Sequence, residues 1–317
     1  MVLYPISRGK NWGYGDACPT TDGAAIVDLS RMNQIVEVNT DLAYCVVEPG
    51  VSQKELFDYL KENDTGLWMD ATAAGPNASL VGNTVDRGFG HTWYGDHFLT
   101  CCGMEVVLAD GRVVRTGFGH YPNARATRVH RYGVGPMLDG LFCQSNQGIV
   151  LRIGLWLQPA PEAFEFFYFQ APNEEVLATL VDRLRPLRLD GTLRTAVYIA
   201  NDFRVLAGHA GYPWEEANDQ TPLPHDVRMG LNRFGLAKAL AIKLDILRPN
   251  YDLLKGIPTP EPLLGQQWRL RNPPDDGPCD LLGPGCGFYW ISPAMPMLGP
   301  EATELRELVE PIFAEHG

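Results

Sequence analysis

The chain has 317 residues, enough for two domains with a sizeable core, and its 45% hydrophobic and 20% charged residues describe an ordinary globular protein. A net charge of −12 without long charge runs argues against a nucleic-acid partner, and no apolar run reaches membrane-spanning length. Seven cysteines, an odd count in a chain this long, read as reduced thiols; with no CxxC pair and no HExxH among seven histidines, no metal site is expected.

The opening residues, MVLYPISRG, carry neither the basic region nor the apolar core of a signal peptide, which leaves the compartment open between cytoplasm and periplasm. Residues 2–6 read as a strand that runs straight into SRGKNWGYGDACP, Ser7 to Pro19. Gly9, Gly13 and Gly15 surround Tyr14 there, with Ser7, Arg8, Lys10 and Asn11 alongside. Glycine lets backbone N–H groups close on an anion, so the stretch reads as an anion-holding loop. It is not a P-loop, because Asn11 follows Gly9-Lys10 and no glycine lies five residues upstream. Nor is it the dinucleotide fingerprint, since Cys18 stands where the third glycine belongs. A glycine-rich surface turn carries the same local signature.

AAIVDLS, QIVEV and AYCVVEPG follow as β-branched strands bounded by turn residues. SQKELFDYLKEN predicts a helix capped by Ser52, with Leu56, Tyr59 and Leu60 at helical spacing. SLVGNTVDRG predicts a short helix capped by Ser79 and ended by Gly88. MEVVLADGRVVRTG predicts a hairpin turning at Asp110-Gly111, and QSNQGIVLRIGLWLQP a long strand ending at Pro159. GFGH occurs at 88–91 and again at 117–120, but the flanks differ and the match reads as coincidence.

A boundary is placed near residue 160, giving domains 1–160 and 161–317. Beyond it, AFEFFYFQAP predicts a strand, NEEVLATLVDRLRPL a helix, and residues 221–247 a mostly helical run. Residues 258–284 are rich in Pro and Gly and predict an extended loop. FYWISPAM then predicts a strand and PEATELRELVEPIFAE a helix with Pro300 near its start.

PISRGKNWGYGDACP, AYCVVEPGVS, LWMD, VGNTVDRGFGHTWYGDHF, GMEVVLADGRVVRTG and LDGLFCQSNQGIVLRIGLWL occur in one order with similar gaps. Together they resemble the flavoproteins that include vanillyl-alcohol oxidase, eugenol oxidase and 4-cresol dehydrogenase. The resemblance covers residues 2–160 and thins beyond them to pieces such as GIPTPEPL, QWRLRNPP and CGFYWISPAMP. It implies an α+β fold: a PCMH-type (VAO-type) FAD-binding domain followed by the first part of an α+β cap domain. On that plan the chain is expected to be the central part of a longer protein, without the first strands and helix of the FAD domain, the rest of the cap, and the C-terminal return.

The resemblance also implies roles. Ser7, Gly9, Asn11, Gly13 and Gly15 would hold the FAD diphosphate, with Arg8 and Lys10 contributing field. Gly82 and Asn83 would present a helix N-terminus to the cofactor, and Gly148 and Ile149 would pass its adenosine side. Tyr14 matches the tyrosine that binds a para-substituted phenol as its phenolate; taken alone it is equally a tyrosine packed over a loop. Asp96 matches the aspartate beside flavin N5; taken alone it reads as a helix cap or solvated turn. His97 would support it, and His91 stands where relatives often have tyrosine. Phe288 falls at the usual histidyl attachment point and Gln267 near the tyrosyl one, so FAD is expected to be non-covalent; His316 lies in unmatched surroundings.

The implied activity is hydride removal from the benzylic carbon of a 4-alkylphenol, 4-allylphenol or 4-hydroxybenzyl alcohol. The pieces around 268–296 lean toward a cytochrome c acceptor. Oxygen is the alternative acceptor, and an inactive flavin-fold binding protein the alternative class. A small phenolic substrate is the expected partner, with self-association left open.

Overall fold

Strand-forming runs at the N-terminus pair before any helix appears. The computed structural model describes residues 2–10, 17–167, 174–200, 211–219, 248–268, 270–271 and 294–316. β1 (Leu3–Ile6) lies parallel to β2 (Ala25–Asp28), and Ala25 N–H to Val2 O and Leu29 N–H to Ile6 O extend the pairing at both ends. β3 (Ile35–Asn39) and β4 (Tyr44–Val47) then begin a separate sheet, β4 being buried along its whole length.

α1 (Gln53–Glu62) forms where the sequence predicts it. The Ser52 hydroxyl accepts from Glu55 N–H at 3.1 Å while the Glu55 carboxylate accepts from Ser52 N–H at 2.7 Å, a capping box. Leu56 and Leu60 face the core. Gln53 is buried beside them, its amide donating to Thr72 O and Gly75 O and accepting from Thr72 N–H, so the helix start also holds the loop that follows β5 (Leu67–Trp68).

α2 (Leu80–Val85) is capped by Ser79 as expected, but its end differs from the sequence reading. Asp86 is the C-cap and Arg87, not Gly88, takes the left-handed conformation at φ 57°. Gly88 is needed for a different reason: a β-carbon there would lie 2.1 Å from Asn83 Oδ1. α3 (His97–Thr100) leads directly into β6 (Cys101–Val107), which turns at Asp110-Gly111, with Gly111 at φ +82°, into β7 (Val113–Arg115). The GFGH segments differ in conformation: residues 117–120 form a 3₁₀ turn and 88–91 a loop.

The expected long strand is shorter than residues 144–159. β8 spans Ile149–Trp156 and β9 only Gln158–Pro159, β9 pairing with β5. Residues 144–148 leave the strand because Gln144 is tied to α2, its N–H to Val85 O and its side-chain amide to Asp86 O. The main sheet is antiparallel throughout, in the order β3-β4-β8-β6-β7. Val47, Val106, Ile153 and Leu155 from its strands meet Leu56, Leu60, Leu80 and Val81 from the helices in one core. Removing this apolar surface from water, at about 25 cal/mol per Å², is the main force holding sheet and helices together.

The described residues fall into two compact units. The first runs to Glu162 and takes in residues 248–264; the second holds the described residues from Ala163 to 219 and from 265 on. The return of 248–264 was not expected from the sequence. It carries α5 (Arg248–Leu254), which follows α4 (Leu177–Leu189) in chain order, and Leu253 enters the first unit's core. Within the second unit α4 packs on α6 (Gly299–His316), and Asp182 of α4 accepts from Gly299 N–H at 2.9 Å. Tyr212, Trp214 and Trp268 gather there, with the Arg271 guanidinium 4.5 Å above Trp214.

Two expectations are corrected. Residues 163–167 form no strand, and residues 261–267, expected as extended loop, make a 3₁₀ helix. The expectations for residues 168–172, 221–247 and 288–293 fall outside the described residues.

Candidate functional site

β1 delivers Ser7 to the first turn of α2. A β-carbon on Gly82 would lie 3.0 Å from Ser7 Oγ and 3.3 Å from Ser7 Cβ, so the two stretches assigned to the diphosphate meet in space. Ser79 fixes the helix side of this meeting: its hydroxyl accepts from Gly82 N–H at 2.9 Å and donates to Pro49 O at 2.6 Å. Arg8 fixes the loop side, donating to Gly50 O at 2.8 Å and pairing with Glu55 at 3.4 Å. Its guanidinium thus ties the loop to α1. Gly9 sits at φ +63°, and a β-carbon on it would lie 3.4 Å from Ala17 Cβ, so the two ends of the glycine loop touch. Lys10 is on this loop, whereas Asn11, Gly13, Tyr14 and Gly15 lie outside the described residues.

Asp96 is the N-cap of α3. Its Oδ1 accepts from Leu99 N–H at 3.1 Å, and among the described residues its Oδ2 accepts no hydrogen bond. The cap reading and the catalytic one are compatible, since one oxygen caps while the other remains available. The carboxylate is partly exposed, and Asp96 N–H to Tyr94 O at 2.8 Å shapes the turn behind it.

Behind Asp96 lies a buried polar chain. His97 Nδ1 is 2.6 Å from Asn83 Oδ1, and its Nε2 is 3.5 Å from Asp70 Oδ2. Asp70 Oδ1 accepts from Thr92 N–H at 2.9 Å and from Thr92 Oγ1–H at 2.8 Å, and Thr92 Oγ1 accepts in turn from the Gln158 amide. All five side chains are buried. Asn83 Oδ1 thus faces His97. Ile149 begins β8 and Gly148 precedes it, where a β-carbon would lie 2.6 Å from Val106 Cγ1, so the backbone packs closely on β6 there.

Sequence reasoning missed Asp70, Thr92 and Gln158. Asp70 lies in the quoted LWMD segment with no local pattern to mark it; in the structure a β-carbon on Gly90 would fall 2.2 Å from Asp70 Cγ. Burial brings the His91 imidazole down to about 4, against the pull of its contact with Ala71 O at 3.0 Å and the nearby Asp70 charge. Burial likewise raises the Cys45 thiol to about 12 and those of Cys102 and Cys143 to about 11. Such thiols are protonated at neutral pH and are not nucleophiles. Among the described residues all cysteines are free.

A diphosphate is best held by bare backbone at the junction of a glycine loop and a helix start. The contact of Ser7 with Gly82, where any side chain would fill the space, fits FAD at this place. A family profile described as an FAD binding domain matches residues 1–117. Over 99% of its length the chain is 35% identical to a 1'-carboxy-chondrochloren decarboxylase of Chondromyces crocatus, spanning 68% of that protein. Over 63% of its length it is 43% identical to the 4-cresol dehydrogenase [hydroxylating] flavoprotein subunit of Pseudomonas putida, matching 39% of that subunit. Among solved structures it is similar to p-cresol methylhydroxylase with substrate bound, at TM-score 0.75 and 30% identity over 85% of this chain and 59% of that one. It is also similar to 4-ethylphenol oxidase from Gulosibacter chungangensis in an isoeugenol complex, at TM-score 0.74 and 29% identity over 84% of this chain and 60% of that one.

The fold is that of a PCMH-type FAD-binding protein with mixed α and β structure. The chain belongs to the FAD-linked oxidoreductase family of 4-cresol dehydrogenase and vanillyl-alcohol oxidase.

Proposed function

We propose that this chain is the FAD-carrying part of an oxidoreductase that acts on para-substituted phenols. The observation that carries the reading is the meeting of Ser7 with Gly82, together with 43% identity to a 4-cresol dehydrogenase flavoprotein subunit over 63% of the chain. Ser7, Gly9 and the first turn of α2 hold the diphosphate, with Asn11, Gly13 and Gly15 completing the loop. FAD supplies the two-electron acceptor when bound.

Tyr14 donates a hydrogen bond to the phenolic oxygen and favours the phenolate. A phenolate pushes electron density to its para carbon, which makes the benzylic C–H a better hydride donor. The quinone methide left behind is attacked by water, and Asp96 Oδ2 takes the proton of that water. Cytochrome c is the proposed acceptor for the electrons and oxygen the alternative. Phe288 and Gln267 support non-covalent attachment of the cofactor.

The test is anaerobic addition of 4-ethylphenol or vanillyl alcohol to the purified yellow protein. Bleaching of the flavin absorbance supports the reading; flavin that stays oxidised with both overturns it in favour of a binding protein. Acid precipitation that leaves FAD in the supernatant confirms non-covalent binding.

A second reading rests on the decarboxylase, whose similarity runs through 99% of the chain where that of the 4-cresol dehydrogenase subunit stops at 63%. In that reading the substrate bears a carboxyl group that leaves as carbon dioxide. Release of labelled carbon dioxide from a carboxylated phenol separates the two.

A further inference from the structure

Buried polar groups that satisfy only one another cost stability, and here they converge on a helix too short to hold itself. α3 is a single turn of four residues, no more than a helix nucleus, yet its buried side is held at several points. His97 N–H donates to Gly88 O at 3.3 Å. Arg131 donates to Phe98 O at 3.1 Å and to Cys101 O at 3.2 Å, capping the C-terminal end. The Phe98 ring lies within 5.6 Å of the Arg87 guanidinium and 5.8 Å of that of Arg131.

The strongest grip is on the imidazole. Asn83 holds Nδ1 at 2.6 Å, and Asp70 Oδ2 stands 3.5 Å from Nε2. Among the described residues neither Nε2 nor Oδ2 has a hydrogen-bond partner, so each buried atom has the other as its polar neighbour without a bond between them. An amide oxygen only accepts, so the hydrogen of the contact with Asn83 sits on Nδ1, while the approach of Asp70 Oδ2 to Nε2 is longer than a hydrogen bond. Asp70 is immobile in its turn: Thr92 donates to it twice, and Gly90 packs on its carboxyl so closely that a β-carbon would stand 2.2 Å from Cγ.

The geometry points to Asp70 and Asn83 as positioning residues that grip the His97 ring and thereby fix the carboxylate of Asp96. This rests on the reading of Asp96 as the group that handles the proton of water. Asp96 and His97 share a peptide plane, and the bond from Leu99 N–H to Asp96 Oδ1 exists only while the first turn of α3 is closed. Releasing the imidazole opens that turn, frees the cap and lets the carboxylate swing away. The Leu99 amide therefore reports on the orientation of Asp96 without any substrate.

Asp70→Asn in the full chain is the decisive variant, since an amide keeps an acceptor for Thr92 and turns N–H toward His97 Nε2. Leu99 amide exchange is expected to rise about tenfold. The imidazole nitrogen NMR signals shift as an amide replaces the carboxyl group beside Nε2. With 4-ethylphenol, kcat falls about tenfold while KM stays within about twofold. Thr92→Val, which removes one of the two bonds to Asp70 and leaves no buried charge unpaired, changes the same quantities less; it serves if Asp70→Asn does not fold. Unchanged Leu99 exchange and imidazole signals in whichever variant folds overturn the grip. Asp96→Asn separates this inference from the reading beneath it. Full turnover in Asp96→Asn overturns the role of Asp96 and the catalytic consequence of the grip. Lost turnover there, with unaltered Leu99 exchange in Asp70→Asn, overturns the grip alone.

Discussion

The hydroxyl of Ser7 lies where a β-carbon on Gly82 would come within 3.0 Å of it, so the end of β1 and the first turn of α2 are in direct contact. Gly82→Val forces them apart, because a branched side chain cannot share that space. The main sheet does not pass through the contact and keeps its circular-dichroism signal. FAD affinity is expected to fall about tenfold, the equivalent of about 1.4 kcal/mol, read as flavin absorbance per protein after gel filtration with graded FAD. Unchanged flavin content would separate the glycine loop from the cofactor.

The capping box of α1 links fold to site, since Glu55 both closes the box and pairs with Arg8. Ser52→Ala removes the acceptor for Glu55 N–H and costs about 1 kcal/mol. In a chain of this size that lowers Tm by about 2–4 °C, measured by calorimetry. Glu55→Ala should cost more, because it also releases Arg8 from its ion pair and loosens the loop carrying Gly9.

What the sequence made legible was local. Ser52, Ser79 and Asp110-Gly111 are punctuation read by their immediate neighbours, and each does in the structure what its residue type dictates. Asp70 was not legible, because a lone aspartate after a tryptophan and a methionine has no periodicity to announce that it is buried. Its neighbours Thr92 and His97 come from one later segment, and Gln158, which donates to Thr92, from another; only the tertiary fold brings them together. Gly88 was misread for the same reason: a glycine after a helix suggests a cap, whereas this one makes room for a buried amide. The packing of residues 248–264 into the first unit is likewise a long-range contact without a local pattern.

His91 gives the protein an acid limit. Burial holds its imidazole neutral down to about 4, against 6.5 in the unfolded chain, so between these values the unfolded state binds more protons. Its contribution is complete above about pH 6.5 and is lost as pH falls toward 4, amounting to about 3 kcal/mol in order of magnitude. Urea titrations of the parent and His91→Gln at intervals across this window are the check. The parent is expected to lose stability steeply on acidification, and the variant to start lower and fall less. Parallel curves would place the acid limit elsewhere.

Gly256 ties the 248–264 segment to the site from the other side. It sits at φ +72°, and a β-carbon on it would lie 2.1 Å from Met69 O, a backbone atom that cannot turn aside. The next residue after Met69 is Asp70, and the residue before Gly256 is Lys255, whose ammonium lies 5.8 Å from the Trp68 ring. Gly256→Ala therefore combines backbone strain with a clash and is expected to cost about 3 kcal/mol, measured by urea unfolding. The damage reaches the buried polar chain through Met69, so Thr92 N–H, which donates to Asp70, should exchange faster in this variant even under strongly native conditions. If instead Thr92 keeps its protection while residues 248–264 become sensitive to protease, the segment docks on the first unit without supporting Asp70.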